Sequence, residues 1–259
     1  MRSSTMPRAR GGSLRERVTA TYQLLASPHA EGRAVKVAIG ITAHNEEQNI
    51  GTLLDRLARV ELGSATRIIV VASGCTDGTV AAVERAARRD GRVELIVEPE
   101  RRGKAAALNQ LLVAARDVDV IVGESADTLP EAGAIEKMVA HFDDPQVGMV
   151  GSRPIPEDSV DTFVGFATHL LWRLHHAVAS RSPKQGELVA WRNVVRDLPP
   201  DAIADEAYLE AELTRLGYTL VYEGQAIVRN RGPATLGAFL TQRRRNHAIH
   251  RTLAASTRY

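Results

Sequence analysis

The sequence holds a single cysteine, Cys75, in 259 residues. That excludes an intramolecular disulfide and a cysteine-built zinc site, and it suits a reducing compartment. No apolar run approaches the ~18 residues that a spanning helix needs, so no transmembrane segment is expected. Residues 1–13, MRSSTMPRARGGS, carry charge but no apolar h-region, so a secretory leader is not expected either. Together these point to a cytoplasmic chain that touches a membrane at most peripherally. Excess charge is missing too: 33 basic side chains against 31 acidic ones leave a formal +2, a balance that does not ask for nucleic acid as a partner. Lysine is scarce, confined to Lys36, Lys104, Lys137 and Lys184, and the arginine bias is what a GC-rich genome produces. What is present, 44% hydrophobic and 25% charged residues, is the composition of an ordinary globular protein with a substantial core, either one large α/β domain or two closely joined halves.

The pattern along the chain is a repeated strand and helix. Val35, Val37, Ile39 and Ile41 alternate in a strand that stops in the polar run Thr42, Ala43, His44, Asn45. Asn45 is placed to cap the next helix, with Glu46 and Glu47 in its first turn and Ile50, Leu53, Leu54 and Leu57 on one buried face. A second strand over 68–72 leads through a small-residue turn to a helix from Thr79, with Val80, Val83 and Ala87 inward. A third strand over 93–97 leads to a helix burying Leu108, Leu111, Leu112 and Ala115. A fourth strand, from Val118 to Val122, ends at Gly123 in Glu124, Ser125 and Asp127. Right-handed crossovers wind such units into a parallel sheet whose tips share one edge. His44, Glu46, Asp77, Lys104 and Asp127 therefore converge on one crevice, the usual place for a nucleotide. A carboxylate such as Asp127 beside a phosphate-bearing ligand suits a hard divalent cation.

Four motifs on these tips carry a family resemblance. ITAHNEEQNI is similar to the IPAYNEEENI opening of family 2 glycosyltransferases, VVASGCTDGT to their VVDDGSTDGT, RRGKAAALNQ to their NRGKGAALN, and ESADTLPE to their DADTLPE with its DxD signature. The resemblance implies a GT-A fold: an α/β, Rossmann-like, mostly parallel central sheet with helices on both faces, a single compact domain of two halves. It also implies a nucleotide-diphospho-sugar donor and Mg²⁺ or Mn²⁺. Thr42 and His44 would border the donor site, Glu46 and Asp77 would contact the nucleoside, Lys104 would sit near the base or diphosphate, and Asp127 would be the metal carboxylate. Ala72 and Ser73 replace the two acids of the second motif, and Ser125 replaces the first acid of DxD.

The second half is expected to shape the acceptor side. Pro130 is placed to open a helix with Ile135, Met138, Val139 and Phe142 inward, and a strand returns over 147–150. Phe163, Phe166, Leu170, Leu174 and Val178 form one stripe of a long helix, which reads as core packing with a solvated back, or else as a membrane-surface face. GELVAWRN, residues 186–193, resembles the acceptor-pocket floor of the processive-type members; Trp191 there either stacks on a sugar or belongs to the core. In IADEAYLEAELTRLGY, Leu209, Leu213 and Leu216 make a buried face closed by Gly217. By resemblance to the family's ED motif, Glu206, or Asp205 beside it, would be the catalytic base. QRRRN resembles QxxRW: Gln242 and Arg245 would meet the diphosphate, and Asn246, where tryptophan is usual, would face the acceptor. The expected division is residues 1–33 as a tail with a possible helix over 14–26, 34–130 as the donor half, 131–232 as the acceptor-binding and catalytic half, and 233–259 as a C-terminal helix. The implied activity is an inverting, metal-assisted transfer of a sugar to a hydroxyl of a glycan, lipid or small molecule in cell-envelope or polysaccharide synthesis. A catalytically degenerate nucleotide-sugar binder is the alternative. A sugar nucleotidylyltransferase would want a GxG and arginine turn after the first strand, which residues 42–47 lack.

Overall fold

Seven elements alternate at the start of the fold: β1 (Val37–Ala43), α1 (Ile50–Leu57), β2 (Arg67–Ser73), α2 (Thr79–Ala87), β3 (Val93–Glu98), α3 (Lys104–Ala114) and β4 (Val120–Ser125). They are seen in a computed structural model that describes residues 35–63, 66–199 and 205–244. The expected helix over 14–26 lies outside the described residues. β1 pairs in parallel with β2 and with β4, and β2 with β3. These strands are continuously apolar because both sheet faces are covered. Val37, Ile39 and Ile41 enter a core shared with Leu53, Leu57, Val122 and Phe142. Their neighbour Ala38, with Ile69, Val71 and Ile121, enters the opposite core with Leu108, Leu111, Trp191 and Leu209.

The remaining elements are β5 (Leu129–Pro130), α4 (Ala134–Ala140), β6 (Val147–Pro156), α5 (Phe163–Ala179), β7 (Val189–Arg192), α6 (Asp205–Arg215) and β8 (Thr219–Asn230), with a further helical stretch over 236–244. The eight strands lie in the order β3-β2-β1-β4-β7-β6-β8-β5. β7 is antiparallel to both β4 and β6, while β6 and β8 run parallel. The GT-A-type α/β sheet expected from the sequence is therefore present, with the antiparallel β7 joining the two halves.

Several local expectations are corrected. Asn45 does not cap α1, which begins only at Ile50. Asn45 instead takes a left-handed φ of 57° and its Oδ1 accepts from the Thr76 amide at 2.8 Å. In α2 the inward residues are Thr79, Ala82, Val83 and Ala86, so the buried stripe is rotated from the one based on Val80 and Ala87. Pro130 does not open a helix: Leu129 and Pro130 pair with β8, and α4 starts after the left-handed Gly133. Gly217 ends α6 as expected, with φ of 90° and the Tyr218 amide bonded back to the Leu213 carbonyl.

The largest correction concerns α5. Phe163, Phe166, Leu170, Leu174 and Val178 do not enter the core but are 70%, 55%, 46%, 55% and 52% exposed. The buried side of the helix is Gly165, Thr168 and Ala179. Three histidines on that side bond to the protein: His169 to the Asp158 carbonyl, His175 to the Gln185 carbonyl and His176 to the Tyr222 hydroxyl. The polar side of α5 thus makes its contacts inward, and the apolar side is outside.

Candidate active site

At the tips of β1 and β2 the chain makes two turns that close on each other. His44 Nδ1 lies 2.7 Å from the Ser73 carbonyl, and the Glu46 amide donates to Thr79 Oγ1 at 2.7 Å. Asp77 accepts from the Thr79 amide and hydroxyl and from the Glu47 amide. Glu47 in turn accepts from the Gly78 amide, and Glu46 accepts from the Asn49 side chain at 2.7 Å. Partial desolvation pushes the Asp77 carboxyl up, but the bonds from Thr79 and Glu47 outweigh it and hold the group below its ordinary value. Glu46 and Asp77 therefore have structural work at this rim.

One strand further along the sheet is an open cleft at the carboxyl ends of β1 and β4. Thr42 at the end of β1, Ser125 at the end of β4, Lys104 at the start of α3 and Glu206 in the first turn of α6 line it, with Glu124 and Glu187. The register pairs Thr42 with Ser125, so the sheet itself sets one wall. Lys104 Nζ meets Glu206 Oε1 at 2.9 Å, bringing together residues 102 positions apart. Trp191 forms the floor. It is 1% exposed, and a Cβ at Gly123 would stand 2.6 Å from its ring, so Gly123 is what lets the indole lie against β4. The tryptophan belongs to the core and borders the cleft, which leaves little of its ring for stacking on a sugar.

Acidity is concentrated on one side. Burial pushes the Glu124 carboxyl up to about 8, against a lowering hydrogen bond from Thr128, and the nearby Glu187 and Asp127 charges add to the rise. Its Oε2 is buried without a hydrogen-bond partner. Burial also raises Glu187, helped by Asp127, while a bond from Asn230 and the charges of Lys104 and Arg243 pull it back. Asp127 itself is exposed in the turn between β4 and β5. Among the described residues no three His, Cys, Asp or Glu side chains form a ready metal cage. An exposed carboxylate next to an unpartnered buried one does suit a hard cation that completes its shell with phosphate oxygens and water.

The structure thus brings Thr42, Lys104, Glu206 and Trp191 to one cleft, and Asp127 close enough to act on its acids. It places His44, Glu46 and Asp77 at the neighbouring rim. Gln242 lies in the 236–244 helix, where its Oε1 accepts from Arg243. Asp205 opens α6 by its backbone, but its side chain lies outside the described residues, as do Arg245 and Asn246. Sequence reasoning missed Glu187 as a site residue. The available signal was an acid two residues before the apolar strand β7, whose position beside β4 depends on an antiparallel pairing.

The glycosyl transferase family 2 model matches residues 38–193, from β1 through β7. No curated protein matches the chain. Among solved structures, a mannosyltransferase from Pyrobaculum calidifontis, determined with GDP-Man and Mn²⁺, superposes with a TM-score of 0.67 at 25% identity, over 90% of this chain and 69% of that one. The glucosyl-3-phosphoglycerate synthase of Mycobacterium tuberculosis, determined with Mn²⁺, UDP and phosphoglyceric acid, shares the fold with a TM-score of 0.59 at 19% identity, over 96% of this chain and 84% of that one. With the family match extending over more than half of the chain, and the sheet order and cleft described above, the protein belongs to glycosyl transferase family 2.

Proposed function

We propose that the cleft binds a nucleotide-diphospho-sugar and transfers its sugar, with inversion, to a hydroxyl of a glycan, lipid or small-molecule acceptor. The observation that carries this reading is the pairing of Lys104 with Glu206 in the same cleft as Glu124 and Glu187, at the carboxyl ends of β1 and β4. The acceptor oxygen bonds to the anomeric carbon as the bond from that carbon to the diphosphate breaks, and Glu206 takes the hydroxyl proton. General-base help of this kind is worth ~10²–10⁴ in rate. Asp205 stands next to it as a second acid. Lys104 is shared: an incoming diphosphate competes for its ammonium, so donor binding loosens the ion pair and readies Glu206 to accept a proton. Gln242 and Arg245 would complete the cradle for the diphosphate. Asp127, with Glu124 and Glu187 nearby, would hold Mg²⁺ or Mn²⁺, whose positive charge would stabilise a leaving diphosphate. The Mn²⁺ in both solved structures supports metal assistance. Residues 34–130 would then be the donor half and 131–232 the acceptor half. The ED-like and QxxRW-like segments ally the chain with the processive-type members.

The replacements Ala72 and Ser73, both buried, remove the acids that would read a uracil, so discrimination among bases should be weak. Release of nucleoside diphosphate from a panel of GDP- and UDP-sugars, with and without acceptors and Mn²⁺, tests the proposal. Acceptor-dependent release that disappears in Glu206→Gln supports it. Donor binding with no turnover on any acceptor would instead favour the degenerate binder, a reading that the replacement at Ser125 keeps in play.

A further inference from the structure

The outward face of α5 is the least expected surface of the molecule. Its apolar residues recur over the whole helix, which at 17 residues is roughly 25 Å long. The side of the helix that carries His169, His175 and His176 is bonded inward, so the apolar residues face out. A contiguous apolar stripe left in water marks a contact surface.

Charge decides what kind. From Thr162 to Gly186 the chain carries no Asp or Glu, while Arg173, Arg181 and Lys184 are present and exposed. The helical stretch over 236–244 has the same character: Leu236 and Leu240 are 48% and 45% exposed, Arg244 is exposed, and no acid occurs between Gly232 and Arg244. Gly232, just before that stretch, packs against Thr168 of α5, so the two segments begin near each other. A second copy is a poor occupant. A face roughly 25 Å by 10 Å falls well short of the about 800 Å² per partner that a stable dimer buries. A surface that offers apolar depth with negative charge above it matches both features. We infer that α5 lies in the interface of an anionic lipid membrane, its Phe163, Phe166, Leu170 and Leu174 side chains among the acyl chains and Arg173 and Arg181 at the headgroups.

The test is co-sedimentation of the full chain with vesicles of phosphatidylcholine alone and of phosphatidylcholine mixed with phosphatidylglycerol. Binding should be confined largely to the anionic vesicles and weaken as salt screens the headgroups. The exposed triple variant F166S/L170S/L174S should lose about tenfold or more of that partitioning, and R173E/R181E should lose the preference for anionic lipid, both with an unchanged melting temperature. Three results would overturn the inference. One is partitioning that neither variant alters. Another is a concentration-dependent dimer that the triple variant dissolves, which would assign the face to a second copy. The third is a melting temperature several degrees lower in the triple variant without vesicles, which would mean that another part of this chain covers the stripe.

Discussion

The rim at the tips of β1 and β2 and the cleft beside β4 are both polar, yet they treat their polar groups in opposite ways. At the rim, His44, Asn45, Glu46, Glu47, Asp77 and Thr79 bond to one another or to nearby backbone; the Ser73 hydroxyl is an exception. In the cleft, Glu124 Oε2 and Trp191 Nε1 are buried without partners, and several acids are crowded together. Groups that satisfy each other stabilise the fold. Groups left unsatisfied or crowded by like charges cost stability and are where a ligand has something to offer. Residue type alone does not separate the two classes, since both are rich in carboxylates.

Substitutions can sharpen this contrast. The largest effect is expected at Glu206: Glu206→Gln should lower turnover by ~10²–10⁴ while donor affinity is kept or rises, because Lys104 is released from its ion pair, and Asp205→Asn should be milder. If the Asp205→Asn, Glu206→Gln double variant transfers sugar as fast as the parent, the cleft is not the catalytic centre. Next is Asp127→Ala, after which Mn²⁺ should no longer tighten nucleoside diphosphate binding in calorimetry. An undiminished metal effect would move the metal elsewhere.

Glu124 gives a pH signature. Its folded value of about 8 lies above its unfolded one, so between them the unfolded chain releases a proton that the folded chain keeps. Stability should therefore fall as pH rises from the ordinary carboxylate range towards 8, by up to ~1.4 kcal/mol per pH unit from this group. Denaturation in metal-free buffer should show that slope flattened in Glu124→Gln, and an unchanged slope would mean that the carboxyl is not held neutral.

At the rim the effects should be on stability. Asn45→Ala loses the bond to Thr76 and puts a Cβ without a polar tip at a left-handed φ, costing about 1–2 kcal/mol in denaturant unfolding, with transferase activity per folded molecule preserved. The smallest change is Asp77→Asn, which keeps an acceptor for Thr79 but removes the charge. Asp77 is lowered in the fold, so its contribution is present above its unfolded value and lost as pH falls through the folded one. The variant should alter acid unfolding slightly and leave donor affinity alone. A large loss of donor affinity would support the nucleoside contact that the family resemblance implies for Asp77 and erase the distinction between rim and cleft.

Much of this was legible in the chain itself. The apolar strands ending in polar turns at Thr42, Ser73 and Ser125, each followed by a helical pattern, specify parallel βα units, because right-handed crossovers leave few ways to connect them. The strand ends then placed Lys104 and Asp127 near one edge, while Glu206, with Asp205 beside it, was reached only through the resemblance to the family's ED motif. The pairing of β7 with β4 was less accessible. Antiparallel insertion into a parallel sheet depends on which edges are open, a property of the assembled sheet, and Glu187 reaches the cleft only through it.

The sequence by itself determined the order of the βα units and which acids stand at strand ends, since these follow from periods of two and of about 3.6 residues and from turn chemistry. Tertiary structure alone decided which way α5 faces. Periodicity reveals that a helix has an apolar side but carries no sign, and here the inward side is the one whose His169, His175 and His176 bond to Asp158, Gln185 and Tyr222. The same holds for Glu46 and Asp77 on one hand and Glu124 and Glu187 on the other: a carboxylate's role is set by whether its neighbours in space satisfy it, and those neighbours lie tens of residues away along the chain.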